Sequence, residues 1–296
     1  MGENNCFFIS SRGLLKSCDI HSSVPISSIH QLYQYDWSNL REGCTIYICN
    51  SAILAFAVII DQLPCKIILV SGDCDECCPM EIFPTEIEFQ LFVENERIIH
   101  WFSQNLIIQH PKMTKIPIGL DYHSMTISDI WGEMISPLEQ EKQLLNIRNT
   151  ALPFFERIPK IYSNFHFSIN TKFAKDRIDA ISQIPADLVY YEPSKLERYD
   201  TWKKQMKYVF VASPHGNGLD CHRTWEALCL GCIVIVKTSP LDDLYDGLPV
   251  LIVEEWSCIT EAVLLETIEK CRNMGFYYDK LSLNYWMDKI RDYSVL

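Results

Sequence analysis

The chain has 296 residues, 48% hydrophobic and 22% charged, with a formal net charge of −12. That length holds two domains of ordinary size, and the balance is that of a folded globular protein, not a disordered one. The acidic charge argues against nucleic acid or an anionic membrane as partner, since both need a basic surface, but it leaves room for a local basic pocket.

The opening residues, MGENNCFFIS, lack a basic stretch followed by a long apolar core, so no signal peptide is expected. The best apolar run, Ala52 to Ile60, is too short to span a bilayer. A cytoplasmic setting follows as the expectation, with the 13 cysteines kept as thiols. Cys74/Cys77 and Cys229/Cys232 have metal-like spacing. The second pair sits in ALCLGCIVIV, where cysteine behaves as a small core residue, so no metal is assigned.

Residues 5–10 read as a first strand, followed by a polar loop with Arg12, Gly13, Lys16 and Asp19. Strands follow at 44–49, 66–70, 97–102 and 114–118, with helical stretches at 51–61 and 83–95. Ser136, Pro137 and Glu139 supply an N-cap, an N1 proline and a capping-box carboxylate for a helix to about Leu152. Residues 153–159 read as a linker. The second alternation is strand 160–166, helix 171–184, strand 187–191 and helix 195–206, the last capped by Ser194 with Glu197. Strand 208–212, helix 220–230, strand 232–236, a short helix at 239–245, strand 250–253 and helices at 258–273 and 281–291 complete the chain. Alternation of this kind predicts an α/β protein with parallel sheets. The expected architecture is two Rossmann-like domains facing across a cleft, 1–155 and 156–280. Residues 281–296 are then a C-terminal helix that packs back on the first domain.

The stretch 207–237 carries most of the chemistry. A buried strand, Tyr208 to Ala212, runs into the turn cluster Ser213, Pro214, His215, Gly216, Asn217, Gly218, whose glycines are free to take positive φ. A helix then opens at Asp220, with Trp225, Leu228 and Cys229 on its buried side. Free N–H groups at such a helix start suit a phosphate. Arg223 and Glu226 lie three apart, hence on one helix face. A guanidinium neutralises a diphosphate and a carboxylate accepts from a ribose, so the pair points to a nucleotide or nucleotide-sugar. Asp220, His215 and His222 crowd the same loop, as loop-ordering or functional groups. Lys237 and Ser239 follow the next strand at the same sheet edge, where Lys237 is either a phosphate contact or solvated. Tyr191 and Glu192 end a further strand of this half.

In the first half, SGDCDE places Asp73 and Asp75 after a strand. Three readings stand: a general base, an oxygen-ligand metal site, or a helix cap. WFSQN and GLDYHS end two further strands. Asp121 and His123 form the rival acid–base pair. Trp101, Gln104 and Tyr122 are residue types that stack on and hydrogen-bond a sugar, with Trp101 in the core as the alternative.

The stretch from Val209 to Trp256 resembles the C-terminal signature of exostosin-like glycosyltransferases, and SGDCDE, WFSQN and IPIGLDYHS resemble their N-terminal motifs. The nearest likeness is to short soluble forms in large DNA viruses and to ribitol xylosyltransferases. The resemblance implies a GT-B fold, a UDP-sugar donor (xylose by the nearest relatives), inversion at the anomeric carbon and no required cofactor or catalytic metal. It places donor binding on Ser213, Gly216, Asn217, Gly218, Arg223 and Glu226, and leaves the base among Asp73, Asp75, Asp121 and His123. The alternatives are a nucleotide- or sugar-binding protein without turnover, and a metal-dependent GT-A-type transferase using Asp73 and Asp75.

Overall fold

A computed structural model describes residues 2–28, 32 and 35–295. The chain begins with a short helix, α1 (Ser11–Ser17), capped by the Ser10 hydroxyl, which accepts from the Gly13 amide. The first sheet then forms as β1 (Cys44–Cys49), α2 (Ile53–Ile59), β2 (Ile67–Gly72), α3 (Glu86–Val93), β3 (Ile98–Ser103) and β4 (Met113–Lys115). Its four strands are parallel and lie in sequence order, β1-β2-β3-β4. A single turn, α4 (Ser124–Ile127), leads to α5 (Pro137–Thr150), which carries the expected capping box and N-terminal proline.

The second sheet is built from β5 (Ile158–Ser163), α6 (Ala174–Gln183), β6 (Val189–Tyr191), α7 (Arg198–Gln205), β7 (Tyr208–Ala212), α8 (His222–Cys229), β8 (Ile233–Lys237) and β9 (Val250–Val253). Its order is β6-β5-β7-β8-β9, again all parallel. Helices α9 (Glu261–Asn273) and α10 (Leu283–Arg291) close the chain. The result is an α/β protein with two Rossmann-like parallel sheets and a crevice between their carboxyl ends.

The strand runs are apolar on both faces because both faces are covered. In the first sheet Ile46, Ile48, Leu69 and Trp101 point to one side, against Phe56, Phe89 and Phe92. Tyr47, Ile68, Val70 and Phe102 point to the other, against Leu14, Leu15, Trp286 and Ile290. That second face is therefore covered by α1 and α10. In the second sheet Ile161, Val209 and Ile235 pack on the α6 and α9 side, with Ala180 and Leu264. Tyr162, Val211 and Val234 pack on the α7 and α8 side, with Trp202 and Trp225.

Three expectations need correction. Residues 5–10 are not a strand of the sheet. The Ile9 amide donates to the Leu281 carbonyl and the Ile9 carbonyl accepts from Leu120, so this segment is clamped between the chain's end and the β4–α4 loop. The polar loop after it is α1, whose apolar Leu14 and Leu15 supply the sheet cover. Ser194 is not the cap of α7. The helix starts at Arg198 with Glu197 as N-cap, and Lys195 and Leu196 line a cavity instead of joining it.

Candidate active site

In an open parallel sheet a crevice opens where neighbouring crossovers leave in opposite directions. Here β6 and β7 flank β5 on its two sides, so that point is at the carboxyl end of β5 and β7. A cavity of about 320 Å³ lies there. Its walls come from the chain after β5 (Asn164, Phe165, Phe167), after β6 (Glu192) and from the exposed face of α8 (Arg223, Glu226).

Arg223 is the distinctive group. Its Nε donates to Asn164 Oδ1 at 3.3 Å. Its Nη1 is buried with no hydrogen-bond partner, and among the described residues no carboxylate forms an ion pair with it. Burial pushes its pKa down. A half-buried guanidinium with an unpaired nitrogen and no close ion pair is costly, so it marks a place for an anion. Glu226 is three residues on and lines the same cavity. One of its oxygens, Oε1, is 3.6 Å from Arg198 Nε.

Arg198, which no motif singled out, ties the halves together. It donates to the Asp121 carbonyl through Nη1 and to Asp121 Oδ2 through Nη2 at 2.9 Å. The exposed Trp131 ring lies 6.0 Å from its guanidinium.

A second cavity, about 400 Å³, is lined by Asp73, Asp75, Asp121, His123, Trp131 and His222 among others. Asp121, Trp131 and His222 also line the first, so the two are contiguous. The structure thus brings all four candidate catalytic residues, Asp73, Asp75, Asp121 and His123, to one place. Their environments differ. Burial opposes charge on Asp121, but His222, His123 and Arg198 outweigh it and hold its pKa well below the carboxylate range. His123 Nδ1 is 3.2 Å from Asp121 Oδ1 but makes no hydrogen bond to it. Burial brings its pKa down to about 4, so it is neutral at pH 7.

Asp73 is buried with φ of 54°, a left-handed backbone that Asp tolerates better than most residues. Its carboxylate accepts from Ser27 Oγ at 2.8 Å and lies 3.8 Å from Arg12 Nε. Burial raises its pKa. Asp75 is half-buried with its carboxylate unpartnered among the described residues, and burial raises its pKa too.

The glycine loop has a different role from the one its motif suggests. Ser213 donates to or accepts from Thr224 Oγ1 at 2.9 Å, beneath the cavity floor. His215 is held by Asp176, with its Nδ1 3.1 Å from Oδ2. The Gly216 amide is spent on the Gly218 carbonyl, and Asn217 Oδ1 accepts from the Lys172 amide. Neither glycine has a positive φ. Both are needed for close approach: a Cβ on Gly216 would come within 2.8 Å of Arg177 Nη2, and one on Gly218 within 2.8 Å of Asn105 Nδ2. None of these residues lines the first cavity. The loop is braced by its own half through Asp176, Lys172 and Arg177, and meets the first half at Gly218.

Asp220 adds to that contact with the first half. Its carboxylate accepts from the Ile118 amide at 2.7 Å and from Trp225 Nε1 at 2.8 and 3.0 Å. Burial pushes its pKa up to about 6. Fully occupied, it is no ligand contact. His222, in contrast, faces both cavities, with its Nδ1 2.7 Å from the Gly119 carbonyl oxygen.

Other candidates fall outside the site. Lys237 pairs with Glu255 at 2.7 Å on the surface. Ser239 accepts from Leu241 N at 3.1 Å, in a local turn. Tyr191 packs edge-on to His166 and does not reach the cavity. Trp101 is core, its Nε1 donating to Ser71 Oγ. Gln104 accepts from the Asp73 amide and donates to the Cys74 carbonyl, so it orders that turn. Tyr122 is buried and donates to Glu141. The fold consumes Trp101, Gln104 and Tyr122 internally. The paired cysteines are free, buried thiols, and no group of three or more His, Cys, Asp or Glu among the described residues is arranged to hold a metal ion. No helix among those residues is long and apolar enough to cross a membrane.

No family model matches this chain, and no curated protein matches it. Solved structures do. The chain is similar to the E. coli structure described as trehalose-6-phosphate bound with UDP-2-fluoro glucose, at 9% identity and a TM-score of 0.37, over 86% of this chain and 72% of that one. It is similar to an alpha,alpha-trehalose-phosphate synthase (UDP-forming) from Burkholderia xenovorans, in complex with glucose-6-phosphate, at 10% identity and a TM-score of 0.36, over 86% and 72%. A UDP-GlcNAc 2-epimerase from Methanocaldococcus jannaschii is similar at 13% identity and a TM-score of 0.35, over 84% and 77%.

Proposed function

We propose that this chain is an inverting, exostosin-like glycosyltransferase that moves a sugar from a UDP-sugar, with xylose as our choice, to a glycan hydroxyl. The observation that carries this is Arg223: a half-buried cation with an unpartnered Nη1 and no ion pair among the described residues, in a cavity at the sheet's crevice that continues into a nest of carboxylates. The cavity is of ligand size. Phe165 and Phe167 offer apolar walls for a base, Glu226 a free oxygen for ribose hydroxyls, and Arg223 a cation for the diphosphate.

The step follows from these positions. The acceptor oxygen bonds to the anomeric carbon as the bond from that carbon to the β-phosphate oxygen breaks. The acceptor proton passes to Asp75, whose unpartnered carboxylate and raised pKa suit a general base. Asp73 is tied to Ser27 and Arg12, and Asp121 to Arg198, so both are poorer bases. Negative charge gathers on the departing UDP and is met by Arg223.

A panel of nucleotide-sugars in a thermal-shift assay tests the donor. A ligand at one hundred times its Kd stabilises by roughly 2.7 kcal/mol. UDP-sugars are expected to shift the wild type and not Arg223→Ala. Absence of any shift across the panel overturns the assignment. Donor shift without transfer to any acceptor makes it a binding protein. Activity that survives excess chelator is expected, and activity abolished by chelator returns the metal-dependent alternative on Asp73 and Asp75.

A further inference from the structure

We infer that the second cavity is an acceptor site for an uncharged, polyhydroxylated sugar, stacked on Trp131 and hydrogen-bonded by Ser11 and Asp75. This rests on the donor assignment above and adds the class of acceptor.

Trp131 borders both cavities. It is 41% exposed, a large apolar ring left to solvent on a loop, with Ile130 beside it 65% exposed. An open aromatic face next to hydrogen-bonding groups suits the C–H face of a sugar ring. The floor is polar. Ser11 lines it, and its hydroxyl is buried with no partner. A buried hydroxyl left unpaired costs free energy, and a ligand hydroxyl would satisfy it. The Asp75 carboxylate is likewise unpartnered and accepts hydrogen bonds only.

The charge balance selects against anions. Arg12 is held to Asp73, and Arg198 to Asp121. His123 is neutral at pH 7. Asp75 forms no ion pair among the described residues, with His222 and Lys172 acting on it only at longer range, so a carboxylate or phosphate on the acceptor would meet its repulsion in a part-buried site. In the other cavity Arg223 keeps a guanidinium nitrogen without a partner among the described residues, where an anion can be met.

The test uses the full chain with saturating UDP and three probes that share one ring: methyl glucoside, methyl glucuronide and glucose 6-phosphate. Titration calorimetry should show the glucoside binding at least about tenfold tighter than either anion. Trp131→Ala should weaken it by on the order of tenfold or more. Ser11→Ala should weaken it roughly three- to tenfold while the thermal shift by UDP is unchanged. Tighter binding of the glucuronide or phosphate overturns the inference while leaving the donor site intact. So does a UDP shift with no binding of any probe, or glucoside binding indifferent to both substitutions. If UDP itself gives no shift, the donor assignment falls first and the acceptor role with it.

Discussion

The two sheets are wound differently, and the difference explains where the site lies. In the second, β6 and β7 leave β5 on opposite sides, so its crossovers supply helices to both faces and open a crevice between them. In the first, the strands add in one direction only, β1 to β4. Right-handed crossovers of that kind put α2 and α3 on a single face. The bare face is covered by α1 at one end of the chain and α10 at the other. A doubly wound sheet makes its own pocket. A singly wound one borrows its cover from the chain ends, and contributes loops.

The largest effect expected from this contrast is on the borrowed cover. Trp286 is buried on α10, its Nε1 donating to the Lys280 carbonyl at 2.8 Å. Trp286→Ala should cost about 3–5 kcal/mol in denaturant unfolding, as large-to-small changes in a core do. A cost below about 1 kcal/mol would mean that α10 is an appendage.

Next is the pH dependence of the seam between the halves. His123 has an ordinary pKa of 6.5 and one near 4 when folded, because burial disfavours its charge. The unfolded chain therefore takes up the proton first. Its contribution is fully present above pH 6.5 and falls as pH drops toward 4, by on the order of 3 kcal/mol in all. Asp220 works the other way: its pKa near 6 in the fold, against 3.8, adds stability as pH falls through that window. Unfolding curves of the wild type and His123→Gln should thus diverge between pH 6.5 and 4, the wild type losing more. Parallel curves would remove His123 from the buried seam.

Arg223→Ala tests the doubly wound crevice itself. Turnover of a UDP-sugar should drop on the order of a hundredfold, the usual loss for a contact to developing charge. Steady-state kinetics near the wild-type values would mean that the crevice is not where the diphosphate sits. The smallest effect belongs to Lys237→Ala and Ser239→Ala. Lys237 ends β8 and Ser239 lies two residues beyond it, yet neither lines the cavity. Each should change stability by about 0.5 kcal/mol or less and leave the donor KM alone. A raised KM would extend the site along β8.

The strands and helices were legible because apolar runs and caps are local signals. β1 and β9 lie where the sequence predicts them, and Ser136 with Glu139 forms its capping box. Arg223 and Glu226 were legible because a helix puts residues three apart on one face, whatever packs against the other. Tertiary structure decided which polar groups are left over. Trp101, Tyr122 and Asp220 have the chemistry of ligand contacts, but the fold consumes each of them in its own hydrogen bonds. Ser11, Trp131 and Arg198 carry no motif, and gain their positions only when distant segments meet. A side chain's type limits what it can bind. Whether it has anything left to bind with depends on the partners that folding brings, and those are not its neighbours in the chain.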